Sequence, residues 1–208
     1  MAMDMSDNAR VQAGLRGVFR RDEPMSKHVS WRAGGRARAF YQPADVADLC
    51  VFLRRLEAGE PVLFVGLGSN LLVRDGGFPG AVVFTHRSLT GIGTDGARRE
   101  ELVFRAGAGV PAPHLARFVA KHGGAGAEWM AGIPGTVGGA LAMNAGCYGG
   151  ETWNHVVAVE TVDRSGALYR RPASDFDLGY RHVAHLRRDP DLKALRHDPR
   201  FERLLRRL

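Results

Sequence analysis

The chain has 208 residues, 45% hydrophobic and 25% charged, the composition of one folded domain or two small ones rather than of a disordered chain. No apolar run approaches the roughly 18 residues that a membrane helix needs, and residues 1–21 carry charges throughout, so they are not a secretory signal. The formal charge of +7 is concentrated in residues 181–208, where nine Lys/Arg face four Asp/Glu and Phe201 is the one aromatic; this reads as a solvated helical face, and no nucleic-acid partner is expected.

In chain order, residues 1–24 are polar and weakly patterned and read as a leader. Residues 31–41 read as a strand entered through Gly34-Gly35. Pro43 opens a helix on which Val46, Leu49, Cys50, Leu53 and Leu56 share one face, and Gly59 ends it. Val62–Val65 is a short buried strand, residues 71–73 resume a strand, and residues 81–84 form another. This β-α-β-β order predicts a small α/β unit over about residues 25–90. Residues 102–106 are expected as a strand paired across a turn at Thr94-Asp95-Gly96. Pro111 or Pro113 starts a second helix carrying Leu115, Phe118 and Val119, with Gly123-Gly124 behind it. Residues 156–163 and 167–171 bracket Arg164-Ser165-Gly166 as a hairpin. A boundary near 182–188 leads into a tail in which Asp189-Pro190 and Asp198-Pro199 each start a short helix.

Cys50 and Cys147 fit no metal spacing and suit a reducing, cytoplasmic compartment; Cys50 falls in the apolar helix and reads as core. His182 and His185 lack a third ligand, so no metal is expected. The sequence carries no signal of oligomeric state.

Glycine is the informative residue. Of 27 glycines, 20 lie between Gly66 and Gly150. Gly91-Ile92-Gly93-Thr94-Asp95-Gly96 matches G-x-G-x-x-G, but a strand follows it and not a helix, so it reads as a turn. Two other loops are stronger. Gly66-Leu67-Gly68-Ser69-Asn70 lies between apolar segments, where glycines expose consecutive amides to an anion and Ser69 and Asn70 add donors. Residues 133–139 lead into a short apolar run ending at Asn144-Ala145-Gly146. Each alone reads as a tight turn; together they suit a long diphosphate ligand.

The motifs Trp31-Arg32-Ala33-Gly34-Gly35, Val65 to Val73 around that first loop, Gly107-Ala108-Gly109-Val110, Ala131 to Ala140, Met143-Asn144-Ala145-Gly146-Cys147-Tyr148-Gly149 and Phe176-Asp177-Leu178-Gly179-Tyr180-Arg181 occur in this order. In that order they resemble the UDP-N-acetylenolpyruvoylglucosamine reductase family over roughly residues 25–182. The resemblance implies an α+β fold of the vanillyl-alcohol-oxidase (PCMH) type, with FAD between two subdomains at 25–90 and 91–182 and a short helical C-terminal tail at 183–208. It implies a cytoplasmic flavoprotein of peptidoglycan synthesis, with NADPH as reductant and an enolpyruvyl UDP-sugar as substrate. The reduced flavin passes hydride to the enolpyruvyl double bond, a serine protonates the adjacent carbon, and an arginine and a glutamate stabilise the intermediate.

Carried onto this chain, the cofactor positions are Gly66, Gly68, Ser69, Asn70, Leu71, Gly107, Gly109, Ile133, Pro134, Gly135, Thr136, Gly138, Gly139, Asn144 and Gly146. Arg181 takes the place of the catalytic arginine, where a fixed guanidinium can pair with a carboxylate and stabilise developing negative charge. Tyr180 is a substrate neighbour or core. From His182 onward the resemblance stops, and the family's serine and glutamate motifs do not follow. The expectation is therefore a reductase with an incomplete site, or alternatively an FAD-binding module or fragment.

Overall fold

The computed structural model describes residues 14–98 and 101–176. The expected tail helices, the boundary at 182–188 and the His182/His185 pair lie outside the described residues.

Four strands build the first layer: β1 (Val18–Pro24), β2 (Arg36–Gln42), β3 (Val62–Val65) and β4 (Phe78–Phe84), in the order β1-β2-β4-β3. β1 runs antiparallel to β2, whereas β2 and β3 both run parallel to β4. Helix α1 (Val46–Arg55) makes the crossover from β2 to β3, which run parallel on either side of β4. Strand alternation divides the core. Phe40, Leu63, Val65, Val82 and Phe84 pack under Met25, Val29 and Val73 on one face. Tyr41, Ala81 and Val83 meet Leu49, Phe52 and Leu53 of α1 on the other.

Three sequence expectations change here. The expected leader over 1–24 contains β1, whose inward contributions are Phe19, tilted against Phe52, and the buried Glu23. With Arg20, Arg21 and Asp22 between them and Val18 exposed, this edge strand has no apolar alternation to read. The strand expected from residue 31 starts only at Arg36, because Arg32 and Gly34 have φ of 51° and 120°. Residues 71–73 form no strand. Gly34 abuts Val73, and the amides of Gly35 and Gly77 both donate to the Arg74 carbonyl, which holds this segment as irregular chain over the core.

α1 is pinned by two carboxylates. Asp45 caps it by accepting from the Asp48 amide at 2.9 Å and binds Arg16 through both oxygens. Asp48 is 2% exposed, accepts from the amides of Arg16 and Ala44 at 2.9 and 2.8 Å, and also accepts from the Tyr41 hydroxyl. Burial opposes ionisation of Asp48, but these donors outweigh it and hold its pKa below the ordinary carboxylate value. Because Asp48 faces inward, the apolar stripe is rotated from the expected one. Val46 is 41% exposed, and Phe52, stacked 4.2 Å from Tyr41, is fully buried.

The second part opens with the antiparallel pair β5 (Ile92–Arg98) and β6 (Glu101–Ala106). Thr94-Asp95-Gly96 is not the turn. It is a register irregularity inside β5, with Gly96 at φ 88°, and the pairing continues past it to Arg98 opposite Glu101. The G-x-G-x-x-G match is thus part of a strand. Helix α2 (Ala112–Lys121) begins after Pro111, and Gly123 at φ 75° ends it. Residues 137–139, expected as the end of the second glycine loop, join the apolar run 140–143 in helix α3 (Val137–Met143), capped by the Thr136 hydroxyl. Short strands β7 (Gly146–Cys147) and β8 (Gly150–Glu151) follow. The expected hairpin is β9 (Ala158–Val162) with β10 (Leu168–Pro172). It folds back onto the first layer: Val162 joins the α1 core, Gly166 abuts the Cys50 carbonyl, and Arg164 donates to the Glu60 carbonyl. No helix among the described residues is long and apolar enough to cross a membrane.

Asp48→Asn replaces an acceptor-only group that satisfies three donors. It is expected to cost about 2–3 kcal/mol, or roughly 5–10 °C in Tm for a chain of this size. The Asp48 contribution is present above the unfolded pKa of about 3.9 and is lost as pH falls through the lower folded value. Melting curves of both chains should therefore converge in acid; a gap independent of pH would contradict this account.

Candidate functional site

The carboxyl ends of the parallel strands β3 and β4 open at one edge of the sheet, the position where ligands of parallel sheets bind. Residues 66–70 leave β3 there, and Thr85-His86 leaves β4. The amide and hydroxyl of Thr85 both donate to the Val65 carbonyl, at 2.8 and 3.2 Å, and lock the two exits together. A Cβ on Gly66 would collide with the Thr136 side chain. Gly68, at φ 66°, lies on the backbone of His28 and Val29, and its carbonyl accepts from the Ser30 amide at 3.1 Å. Asn70 Nδ2 lies 3.8 Å from Met143 Sδ. The loop is therefore held by residues 28–30 on one side and by 136–143 on the other.

Its amides are the distinctive feature. None of the five amide N–H groups of Gly66, Leu67, Gly68, Ser69 and Asn70 donates to a described residue. Buried or half-buried amides are normally paired, so this run, buried or half-buried from Gly66 to Ser69 and exposed at Asn70, marks backbone that presents donors outward. Neither this loop nor residues 107–110 and 132–139 contain a carboxylate that would repel an anion.

The other predicted glycines are occupied differently. The amides of Gly107 and Gly109 donate to the carbonyls of Gly91 and Leu89, both at 2.8 Å, and Gly109 abuts the Thr85 carbonyl. Gly138 donates to the Ala108 carbonyl at 2.9 Å, and its missing side chain would stand 2.9 Å from Ala108 Cβ. The Gly139 amide caps onto Thr136 Oγ1 at 3.3 Å. Gly135 accepts from Ala112 at 2.9 Å and stands beside Ser69. These glycines bring the three loops together.

Ile133 is buried in the core of α2 and α3, Pro134 is exposed, and Leu71 packs on the first core. Asn144 is left-handed at φ 42° and ends α3; its side chain donates to Glu151 at 3.1 Å and accepts from the Trp153 amide at 3.2 Å. Gly146 packs against Gly150 in the small β7–β8 hairpin. Tyr180 and Arg181 lie outside the described residues. Phe176, which opens their motif, lies tilted against Trp153, ring centroids 4.8 Å apart.

Two features at this edge carried no sequence signal. Beneath the loop, Glu23 accepts from His28 Nε2 at 2.9 Å and from Arg20 at 3.1 Å. Burial raises its pKa, and these partners lower it further than burial raises it. The His28 ring stacks on Phe40 at 4.3 Å. The second feature is His86, whose Nδ1 is buried without a hydrogen-bond partner among the described residues. A separate open groove bounded by Trp129, Tyr148 and His155 shares no lining residue with the glycine loops.

The sequence profile of the FAD binding domain family matches residues 37–171. The chain belongs to the FAD binding domain family. It is 55% identical over 184 residues to UDP-N-acetylenolpyruvoylglucosamine reductase of Nitrosospira multiformis, covering 88% of this chain and 53% of that protein. It is 56% identical over 169 residues to the reductase of Nitrosomonas eutropha, covering 81% and 51%. The chain thus spans about half the length of these relatives. The crystal structure of UDP-N-acetylenolpyruvylglucosamine reductase from Thermus caldophilus superposes with a TM-score of 0.59 at 29% identity, over 80% of this chain and 56% of that one. Cholesterol oxidase from B. sterolicum shares the fold alone, at TM-score 0.55 and 18% identity over 75% and 33%. These likenesses bear out the α+β, PCMH-type fold and the family expected from the motifs. The residues present fit FAD: outward amides for a diphosphate, loops free of carboxylates, and a buried nitrogen lacking a partner.

Gly66→Ala sets a methyl against Thr136, so it displaces the loop from α3. FAD affinity, titrated by flavin fluorescence, should fall at least tenfold. Gly76→Ala, with open space at its Cβ, should leave it unchanged.

Proposed function

We propose that this chain supplies the flavin-holding part of an NADPH-driven reductase. Its reaction converts UDP-N-acetylglucosamine enolpyruvate to UDP-N-acetylmuramate for peptidoglycan. The observation that carries the reading is the 55% identity over 184 residues to a reductase of that name, which spans every loop of the site. When bound, FAD supplies the two-electron chemistry of such a reduction. The chain's own work is to bind and orient it. The amides of residues 66–70 receive the diphosphate, and Thr136 fixes their distance from α3.

Arg181 is the residue proposed to stabilise negative charge on the substrate during reduction, with Tyr180 beside it. In a water-excluded site one such cation lowers the barrier by about 3–4 kcal/mol. The subdomain division near residue 91 is part of the same reading: the sheet of β1–β4 lies on one side of the flavin, and α2 and α3 lie on the other. The proposed setting is the cytoplasm, with a UDP-sugar as the small-molecule partner.

The test uses the purified chain reconstituted with FAD. NADPH is added first, then the enolpyruvyl sugar nucleotide, and the visible flavin band is followed. The expected result is bleaching by NADPH and recovery on adding the substrate. Bleaching without recovery would favour a module that holds flavin without turning over the substrate, and no flavin band would overturn the reading. Arg181→Lys should lower the rate of recovery about a hundredfold or more while leaving FAD content unchanged.

A further inference from the structure

We infer that His86 is a cofactor-binding residue, whose Nδ1 hydrogen-bonds to the bound FAD. The inference rests on FAD occupying the edge formed by residues 66–70. His86 Nδ1 is the one side-chain nitrogen or oxygen among the described residues that is buried and has no partner. A buried polar atom left unpaired is destabilising, which is tolerated where a ligand or ordered water completes the bond.

The position of His86 favours the ligand. Val65 of β3 and Phe84 of β4 are paired, so His86, two residues beyond Phe84, stands level with the start of the glycine loop. Strand alternation puts His86 on the face of Phe84, and the two rings meet edge-on at 6.1 Å and 85°. Phe84 also touches the His28 ring at 5.1 Å, and the His28 carbonyl is where Gly68 rests. From the other side, Gly109 abuts the carbonyl of Thr85, and its neighbour Ala108 carries Gly138. The residues just before His86 thus lead to each of the three glycine segments: Phe84 through His28 to Gly68, and Thr85 directly to Gly109 and through Ala108 to Gly138.

Imidazole suits the task. Nδ1 can donate or accept according to tautomer, so it can serve a carbonyl, a ring nitrogen or a hydroxyl of the dinucleotide. Asn places a polar atom near the Nδ1 position, whereas Phe keeps the ring shape without it.

The test compares the whole chain with His86→Phe and His86→Asn. Its readouts are FAD titration, melting of the FAD-free protein, and the Nδ1 resonance in ¹⁵N-histidine-labelled wild type. His86→Phe should bind FAD about 3- to 10-fold more weakly, the range of one net hydrogen bond. Its FAD-free melting temperature should equal or exceed that of the wild type, because the unpaired atom is gone. His86→Asn should recover most of the affinity, and FAD should shift the wild-type Nδ1 resonance. Unchanged affinity in His86→Phe, with a resonance that ignores FAD, would overturn the inference and assign the atom to a water. Equal loss of affinity in both variants, with a lowered FAD-free melting temperature, would overturn it in favour of packing. If Gly66→Ala loses FAD while His86→Phe does not, the cofactor site stands and only the role of His86 falls. If the wild type binds no FAD, the site reading itself fails.

Discussion

Thr136 is the contact on which the site's geometry depends. It is 1% exposed, its hydroxyl caps α3, and its side chain fills the space that a Cβ on Gly66 would take. On either side of it the Ala112 amide donates to Gly135 and the Val137 amide donates to Val110, both within 2.9 Å, tying the loop before α2 to the loop before α3. One buried threonine thus meets the loop after β3, the start of α2 and the start of α3. Any larger residue at 66 or 136 would separate the first sheet from the helices. The loop carrying the unpaired amides would then be displaced from the segment carrying Gly135, which stands beside Ser69.

The first layer is held by a different kind of contact. Asp48 gathers the amides of Arg16 and Ala44 and the hydroxyl of Tyr41 around one buried carboxylate. This ties the chain entering β1, the end of β2 and the first turn of α1 to each other. The hairpin β9–β10 then closes on the far side of α1 through Gly166 and Arg164. The sheet is fixed by burial of charge with donors, and the site by close approach of backbone. That division follows from composition. The segment around the site is rich in glycine, which supplies no side chain to pack, so proximity has to come from missing Cβ atoms.

Much of this was legible in the residues. The presence of α1, the turn at Arg164-Ser165-Gly166 and the order of the glycine motifs each have a local cause, and the structure has them where the sequence puts them. What escaped had tertiary causes. β1 is an edge strand whose polar residues conceal its register, and its pairing partner β2 lies beyond the loop carrying Arg32 and Gly34. Residues 71–73 have strand composition, but Gly34 and Gly35 claim their contacts. Phe52 replaced Val46 on the buried face because Asp48 turns inward, which a hydrophobicity pattern cannot register. His86 belongs to no motif, and only its burial distinguishes it.

The glycines separate into two groups that the sequence does not distinguish. Gly107, Gly109 and Gly138 have amides bonded within the chain and no room for a side chain, so their part is to let segments touch. Gly66 and Gly68 instead combine close packing with amides that have no partner among the described residues. Close packing on residues 28–30 and on Thr136 holds this backbone in place, so in the proposed reading a diphosphate would not bear the entropy of ordering it. The packing glycines set where the loop stands, and the proposed diphosphate contact depends on that placement.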